Sequence, residues 1–188
     1  MNECDAWLFS GSTWSVYDRE SWILRGREFV CALHEARRPT VGVCFGHQLV
    51  ARALGGEVEK ASIGLGVGVH TTRILERRPW MVPPRERLAL LVSHQDQVTR
   101  LPEEAVLLAS HGVCPCDMYQ VGEHILGLQP HPEFSKGYSR ATMERWRFLI
   151  GEEGFRVGVD SLAKPIDADV VGHWILGFLG RALTRSGC

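Results

Sequence analysis

The chain has no apolar stretch long enough to cross a bilayer. Its longest apolar runs, such as Leu88 to Val92, fall far short of the ~20 residues a membrane helix needs. The first residues, Met1-Asn2-Glu3-Cys4-Asp5, lack the basic region and apolar stretch of an export signal, so no signal peptide is expected. A cytoplasmic location is therefore expected. Excess charge of one sign is also missing. The formal net charge is -1 over 188 residues, which leaves no strong field to draw in nucleic acid or an anionic membrane. Arg37-Arg38 and Arg77-Arg78 are isolated pairs and read as solvated helix ends. Internal repeats and low-complexity segments are absent. Metal-ligand spacing is absent too: Cys114-Pro115-Cys116 leaves one residue between its thiols, and no second pair exists. No metal and no cofactor are expected. Six cysteines without an export signal read as free thiols rather than a disulfide framework, with Cys4, Cys31 and Cys188 inert.

Against these absences stands one dense feature. In Val41-Gly42-Val43-Cys44-Phe45-Gly46-His47-Gln48 an apolar, β-branched run leads into a Cys with a Gly two residues away on each side. A helix-compatible segment, Gln48 to Leu54, follows and stops at Gly55-Gly56. This is the pattern of a nucleophile elbow, a sharp strand-to-helix turn that lifts one side chain above the sheet edge. A helix start beside Cys44 supplies free N–H groups and a positive dipole end, which favour a thiolate. The residue after an elbow nucleophile usually donates its N–H to an oxyanion, which nominates Phe45. A buried structural cysteine at a tight turn is the plain alternative.

A second motif bears on that choice. Leu126-Gly127-Leu128-Gln129-Pro130-His131-Pro132-Glu133-Phe134 sets a His and a Glu two residues apart after a short apolar run. His131 can serve a thiol as base while Glu133 orients the imidazole, in chain order Cys, His, Glu. Pro130 and Pro132 stiffen that loop. The alternative for His131 is a loop histidine between prolines, and for Glu133 a solvated carboxylate.

The rest of the chain reads as alternating elements. Ala6 to Phe9 is a short strand entering the turn Ser10-Gly11-Ser12, and Glu20 to Ala36 carries a helical apolar stripe. Arg38-Pro39 ends that helix, and Thr40 to Val43 is the strand feeding the elbow. Residues 56–109 are strand-rich, with a proline-bearing loop from Arg77 to Arg87. Asp117 to Val121 and His124 to Gln129 form a hairpin turning at Gly122-Glu123. Ser139 to Ile150 reads as one helix, and Asp167 as the cap of a last helix striped by Val170, Val171, Trp174, Ile175, Phe178 and Leu179. The order argues for an α/β fold with a mostly parallel sheet.

These motifs resemble the class I glutamine amidotransferases, particularly the glutaminase domain of GMP synthase and its stand-alone relatives. Ser10-Gly11-Ser12 with Ser15-Val16-Tyr17-Asp18 resembles the family's early glycine loop, and Gly42 to Gln48 its nucleophile motif. Ser93-His94-Gln95-Asp96, with Val98 and Leu101-Pro102, resembles its middle motif, and Gln129 to Phe134 its His-x-Glu motif. The resemblance implies a flavodoxin-like or Rossmann-like sheet with helices on both faces, in a single domain over residues 1–188. It also implies a departure. The family normally has a strand, a helix and a second strand before the segment matched by Ala6 to Ser12, and here the chain starts almost at that segment. An exposed sheet edge is expected from this, and with it either a homo-oligomer or a marginally stable chain.

The resemblance further implies Cys44, His131 and Glu133 as catalytic residues, and Gly11 as the second oxyanion donor beside Phe45. Gln48 would contact a glutamine substrate, with Ser93, His94 and Asp96 bordering its pocket. His94 is a competing base that the family pattern passes over for His131. The implied reaction converts glutamine to glutamate and ammonia through a γ-glutamyl thioester. The sequence shows no ATP-handling motif, so the protein is expected either to work with a separate synthetase subunit or to act alone. The other open reading is a γ-glutamyl hydrolase or peptidase using the same triad. A non-catalytic binding module is a third.

Overall fold

A computed structural model describes residues 4–62 and 64–185. Met1, Asn2, Glu3 and Cys188, which carried expectations about targeting and thiol reactivity, lie outside the described residues. The elements are β1 (Trp7–Phe9), α1 (Ser21–Glu35), β2 (Thr40–Val43), α2 (Phe45–Ala53), β3 (Glu57–Lys60), β4 (Gly66–Ile74), β5 (Arg87–His94), β6 (Asp96–Arg100), β7 (Ala105–His111), β8 (Cys114–Val121), β9 (Ile125–Leu128), α3 (Lys136–Arg145), α4 (Arg147–Ile150), α5 (Glu152–Ser161) and α6 (Ala168–Arg185).

Seven strands form one sheet in the order β1-β2-β9-β8-β7-β4-β5. The α/β class expected from the sequence is what the chain adopts. Parallel pairing is confined to β1, β2 and β9, where Trp7 lies opposite Thr40 and Thr40 opposite Ile125. From β9 to β5 every pairing is antiparallel, because hairpins rather than crossover helices join β4 to β5, β7 to β8 and β8 to β9. The sheet is therefore mixed. The hairpin expected at Gly122-Glu123 is present as β8 and β9, with Val121 opposite Ile125. A separate ribbon pairs β3 with β6.

Helices cover both faces, which is why β2 and β9 are buried along their whole length and read as continuous apolar runs. On one face α1 and α2 bring Ile23, Val30, Leu49 and Val50 against Tyr119, Val121 and Ile125. On the other, α6 brings Val171, Trp174 and Phe178 against Val41, Val43, Leu88, Leu90, Leu126 and Leu128. Asp167 precedes α6 as expected, and its carboxylate accepts from the Ala89 N–H at 2.8 Å, tying the start of α6 to β5. β1 is the first element among the described residues and stands at the sheet edge. Trp7 and Phe9 meet Phe29 of α1, while Leu8, on the opposite face, is 60% exposed.

Two local expectations change. α2 starts directly at Phe45 rather than at Gln48. The single helix expected over Ser139 to Ile150 is instead α3 and the short α4, broken at Trp146, whose φ of -101° and ψ of 11° leave the helical region. α5, which no periodicity had signalled, follows Gly151.

Candidate active site

Cys44 sits where β2 ends and α2 begins, with φ 51° and ψ -105°. Such a conformation costs a non-glycine residue on the order of 1–3 kcal/mol and persists only where the surroundings fix it. The fixing contacts are close. The Cys44 N–H donates to the Leu128 carbonyl at 2.8 Å, and the Gly46 N–H donates to the Ser10 carbonyl at 3.2 Å. The flanking glycines let these backbones meet: a Cβ on Gly42 would lie 2.5 Å from the Gly46 carbonyl oxygen, and one on Gly46 would overlap the Phe9 carbonyl. The Cys44 side chain is almost enclosed, 6% exposed, with Sγ 3.9 Å from the Ser93 carbonyl oxygen.

His131 follows β9, its backbone N–H bound to the Leu91 carbonyl at 2.8 Å. Its Nδ1 lies 2.7 Å from the Glu133 carboxylate, and its ring stacks on Phe134 with centroids 3.9 Å apart. Burial alone would lower the imidazole pKa. The hydrogen bonds and charges of Cys44 and Glu133 more than reverse this and raise it to about 9. The sequence had not singled out Phe134, although it stands inside the motif. Ring and carboxylate both restrain the imidazole.

Gly11 completes the cluster. A Cβ there would lie 3.0 Å from His131 Cε1 and 3.8 Å from Cys44 Cβ, so the glycine loop, Cys44 and His131 converge on one point. The Phe45 N–H belongs to the first turn of α2, where helix donors have no intrahelical acceptor.

Two cavities meet at Cys44. The first, of about 170 Å³, is lined by Ser15, Gln48, Ser93, His94, Asp96 and Trp146. Gln48 uses its amide nitrogen on the Asp96 carbonyl (2.7 Å) and the Gln129 side-chain oxygen (3.0 Å), so its own carbonyl is what it can offer a ligand. The Asp96 carboxylate accepts from the Ser15 and Tyr17 hydroxyls, which ties the early loop to the middle motif. His94 lies in this wall. Burial, reinforced by nearby His70 and His131 against the opposing Asp117 charge, lowers its pKa to about 4, so it is neutral at pH 7. The second cavity, of about 370 Å³, is lined by Gly11, Thr13, Cys44, His131, Glu133, Tyr138, Arg145 and Trp146. The sequence had attached no role to Tyr138, Arg145 or Trp146. Tyr138 and Arg145 reach this cavity from α3, and Trp146 from the break between α3 and α4.

Elsewhere, His47 is fully buried against Tyr119, and burial lowers its pKa to about 3. One group among the described residues could supply metal ligands: His111, Cys114 and Asp117, with ligand atoms within 4.8 Å of one another. Cys116 is not part of it. His111 already bonds Asp117 at 2.8 Å and lies 3.0 Å from a nitrogen of His70, and burial raises the Cys114 thiol pKa far above its usual range. No helix among the described residues is long and apolar enough to cross a membrane.

The family model of glutamine amidotransferase class-I matches residues 2–150. Gamma-glutamyl peptidase 3 of Arabidopsis thaliana is 32% identical over 142 residues, an alignment spanning 72% of this chain and 57% of that protein. A glutamine-hydrolyzing GMP synthase of Aeropyrum pernix is 30% identical over 145 residues, which is 77% of this chain and 27% of that protein. The chain spans a little over half the length of such curated relatives as the plant peptidases. In fold it resembles a glutamine amidotransferase from Thermotoga maritima, with a TM-score of 0.73 at 18% identity, over 94% of this chain and 77% of that one. The matched span contains β1, the elbow, the middle motif, the His131 loop and the α3–α4 break, and so every residue that borders the two cavities. The chain belongs to the class-I glutamine amidotransferase family.

Proposed function

We propose that the protein hydrolyses a γ-glutamyl amide bond, the simplest substrate being glutamine, through a thioester on Cys44. The observation that carries this reading is the convergence of Cys44, Gly11 and the His131–Glu133 pair where the two cavities meet. The His131 imidazole, whose pKa Cys44 and Glu133 raise to about 9 against the effect of burial, stands charged beside Cys44 at neutral pH. The Cys44 sulfur attacks the side-chain carbonyl, and the tetrahedral oxyanion takes the N–H groups of Phe45 and Gly11. Each such donor contributes about 2.7–4 kcal/mol in enzymes where it has been removed. The imidazolium gives its proton to the departing nitrogen, the C–N bond breaks, and a γ-glutamyl thioester remains. Water then attacks the thioester, His131 takes the water proton, and glutamate leaves with the thiol restored.

Glu133 holds the imidazole, and Gln48, Ser93 and His94 surround the glutamyl portion. Gln48 is suited to accept from an α-ammonium group. His94, being neutral at pH 7, is no rival to His131 as the charged acid. In the amidotransferase form of this reading the ammonia passes to a separate synthetase subunit. In the peptidase form an amino acid or peptide leaves instead. Release of ammonia from glutamine, measured against release of amine from γ-glutamyl conjugates, tests the reading. Turnover of either substrate that is lost in Cys44→Ala supports it. Turnover retained in that variant removes Cys44 from the role.

A further inference from the structure

The two cavities differ in which side of the scissile bond they serve. The group that protonates the departing nitrogen must lie within hydrogen-bonding reach of it, so the leaving amine sits beside His131. The larger cavity contains His131 and Glu133. The smaller contains Gln48 and Asp96. The larger one is therefore on the leaving-group side. Its volume is about 370 Å³. A single water, or an ammonia of similar size, needs on the order of 10–15 Å³.

The charge in that cavity is specific. Arg145 lines it, at the last turn of α3, with its guanidinium carbon 5.5 Å from the centroid of the Trp146 ring. The other arginines of this region are matched to carboxylates: Arg140 to Glu144, Arg147 to Glu152, and Arg156 to Glu153. Arg145 has no carboxylate partner among the described residues. The carboxylate that lines the cavity, Glu133, is engaged by His131. A planar guanidinium over an indole, in a cavity that Thr142 and Tyr138 also line, offers a paired donor fork to a carboxylate.

We infer that this cavity is a leaving-group subsite for an amine that carries a free carboxylate, with Arg145 as its counter-ion and Trp146 as its packing surface. The inference rests on the proposed γ-glutamyl hydrolysis. It narrows the substrate class to γ-glutamyl amino acids and peptides, which are then used in preference to glutamine. Atoms balance as before. The thioester forms at Cys44, the C–N bond breaks, and the amino acid or peptide departs with the His131 proton on its nitrogen.

The test compares kcat/KM for γ-glutamyl-alanine with that for its C-terminal carboxamide, in the wild type and in Arg145→Ala, Arg145→Lys and Arg145→Glu. All three substitutions are at an exposed position. A charge-assisted hydrogen bond at a partly solvated site should give the free acid roughly a tenfold advantage. That ratio should fall to about one in Arg145→Ala, recover in part in Arg145→Lys, and invert in Arg145→Glu. A merely structural role for Arg145 would lower both substrates together and leave the ratio unchanged. Labelling of wild-type Cys44 by a glutamine-like diazoketone is measured alongside. If Cys44 is labelled but acid and amide are used equally, or Arg145→Ala keeps the preference, the subsite is wrong and the hydrolytic reading stands. If Cys44 is not labelled and no γ-glutamyl compound is turned over, both are wrong.

Discussion

His131 carries three restraints that can be removed one at a time. Its imidazole is bonded to Glu133, stacked on Phe134 and set against Gly11. His131→Asn removes the acid and base and should slow thioester formation by a factor on the order of 10²–10⁴. Glu133→Gln should cost less, because the Glu133 side chain is half exposed and water can take part of its place. Pre-steady-state acylation rates decide between them, and a damaging His94→Asn beside a harmless His131→Asn would reverse the assignment of base. Gly11→Ala places a methyl 3.0 Å from the His131 ring and should displace it, with a loss in kcat on the order of 10²-fold. The imidazole also has a pH signature. Its pKa is raised from 6.5 to about 9, so its stabilising contribution is complete below pH 6.5 and is lost as pH rises through about 9. Denaturation midpoints of the wild type should therefore fall between pH 7 and 10, and those of His131→Asn should fall less.

At the scale of elements, what could be read from the sequence was what is encoded locally. The β2–α2 elbow, the β8–β9 hairpin and the Cys44 and His131 motifs are each written in fewer than about two dozen consecutive residues, with glycines or prolines marking their turns. The break at Trp146 was not legible, since no Gly or Pro marks it. The hydrogen-bonded set of His70, His111 and Asp117 was also invisible, because three different strands bring it together. The limited extent of parallel pairing escaped for a related reason: hairpin connections, rather than residue preferences, decide it. The stripe on α6 was read correctly and its energetic weight can be tested. Trp174 is fully buried against Trp80 and donates its indole N–H to the Pro83 carbonyl at 3.0 Å. Trp174→Ala should cost about 3–5 kcal/mol in chemical denaturation, with little change in KM, since α6 lines neither cavity.

For the whole molecule, the sheet ends at β1, a short strand whose outer side pairs with no strand among the described residues and whose Leu8 faces solvent. Unpaired edge groups beside an exposed leucine favour association with another chain. Sedimentation should show concentration-dependent association, reduced in Leu8→Lys, while the catalytic cluster at the elbow keeps its activity. A chain that stays monomeric at high concentration would show that the edge is adequately protected as it stands. The claim on which the rest depends is that one of six thiols is the nucleophile. Intact-protein and peptide mass spectrometry after exposure to a glutamine-like diazoketone tests it most directly. A single adduct on Cys44, absent from Cys44→Ala and accompanied by complete loss of turnover, is the expected result. An adduct on any other cysteine, or full turnover by the labelled protein, would contradict it.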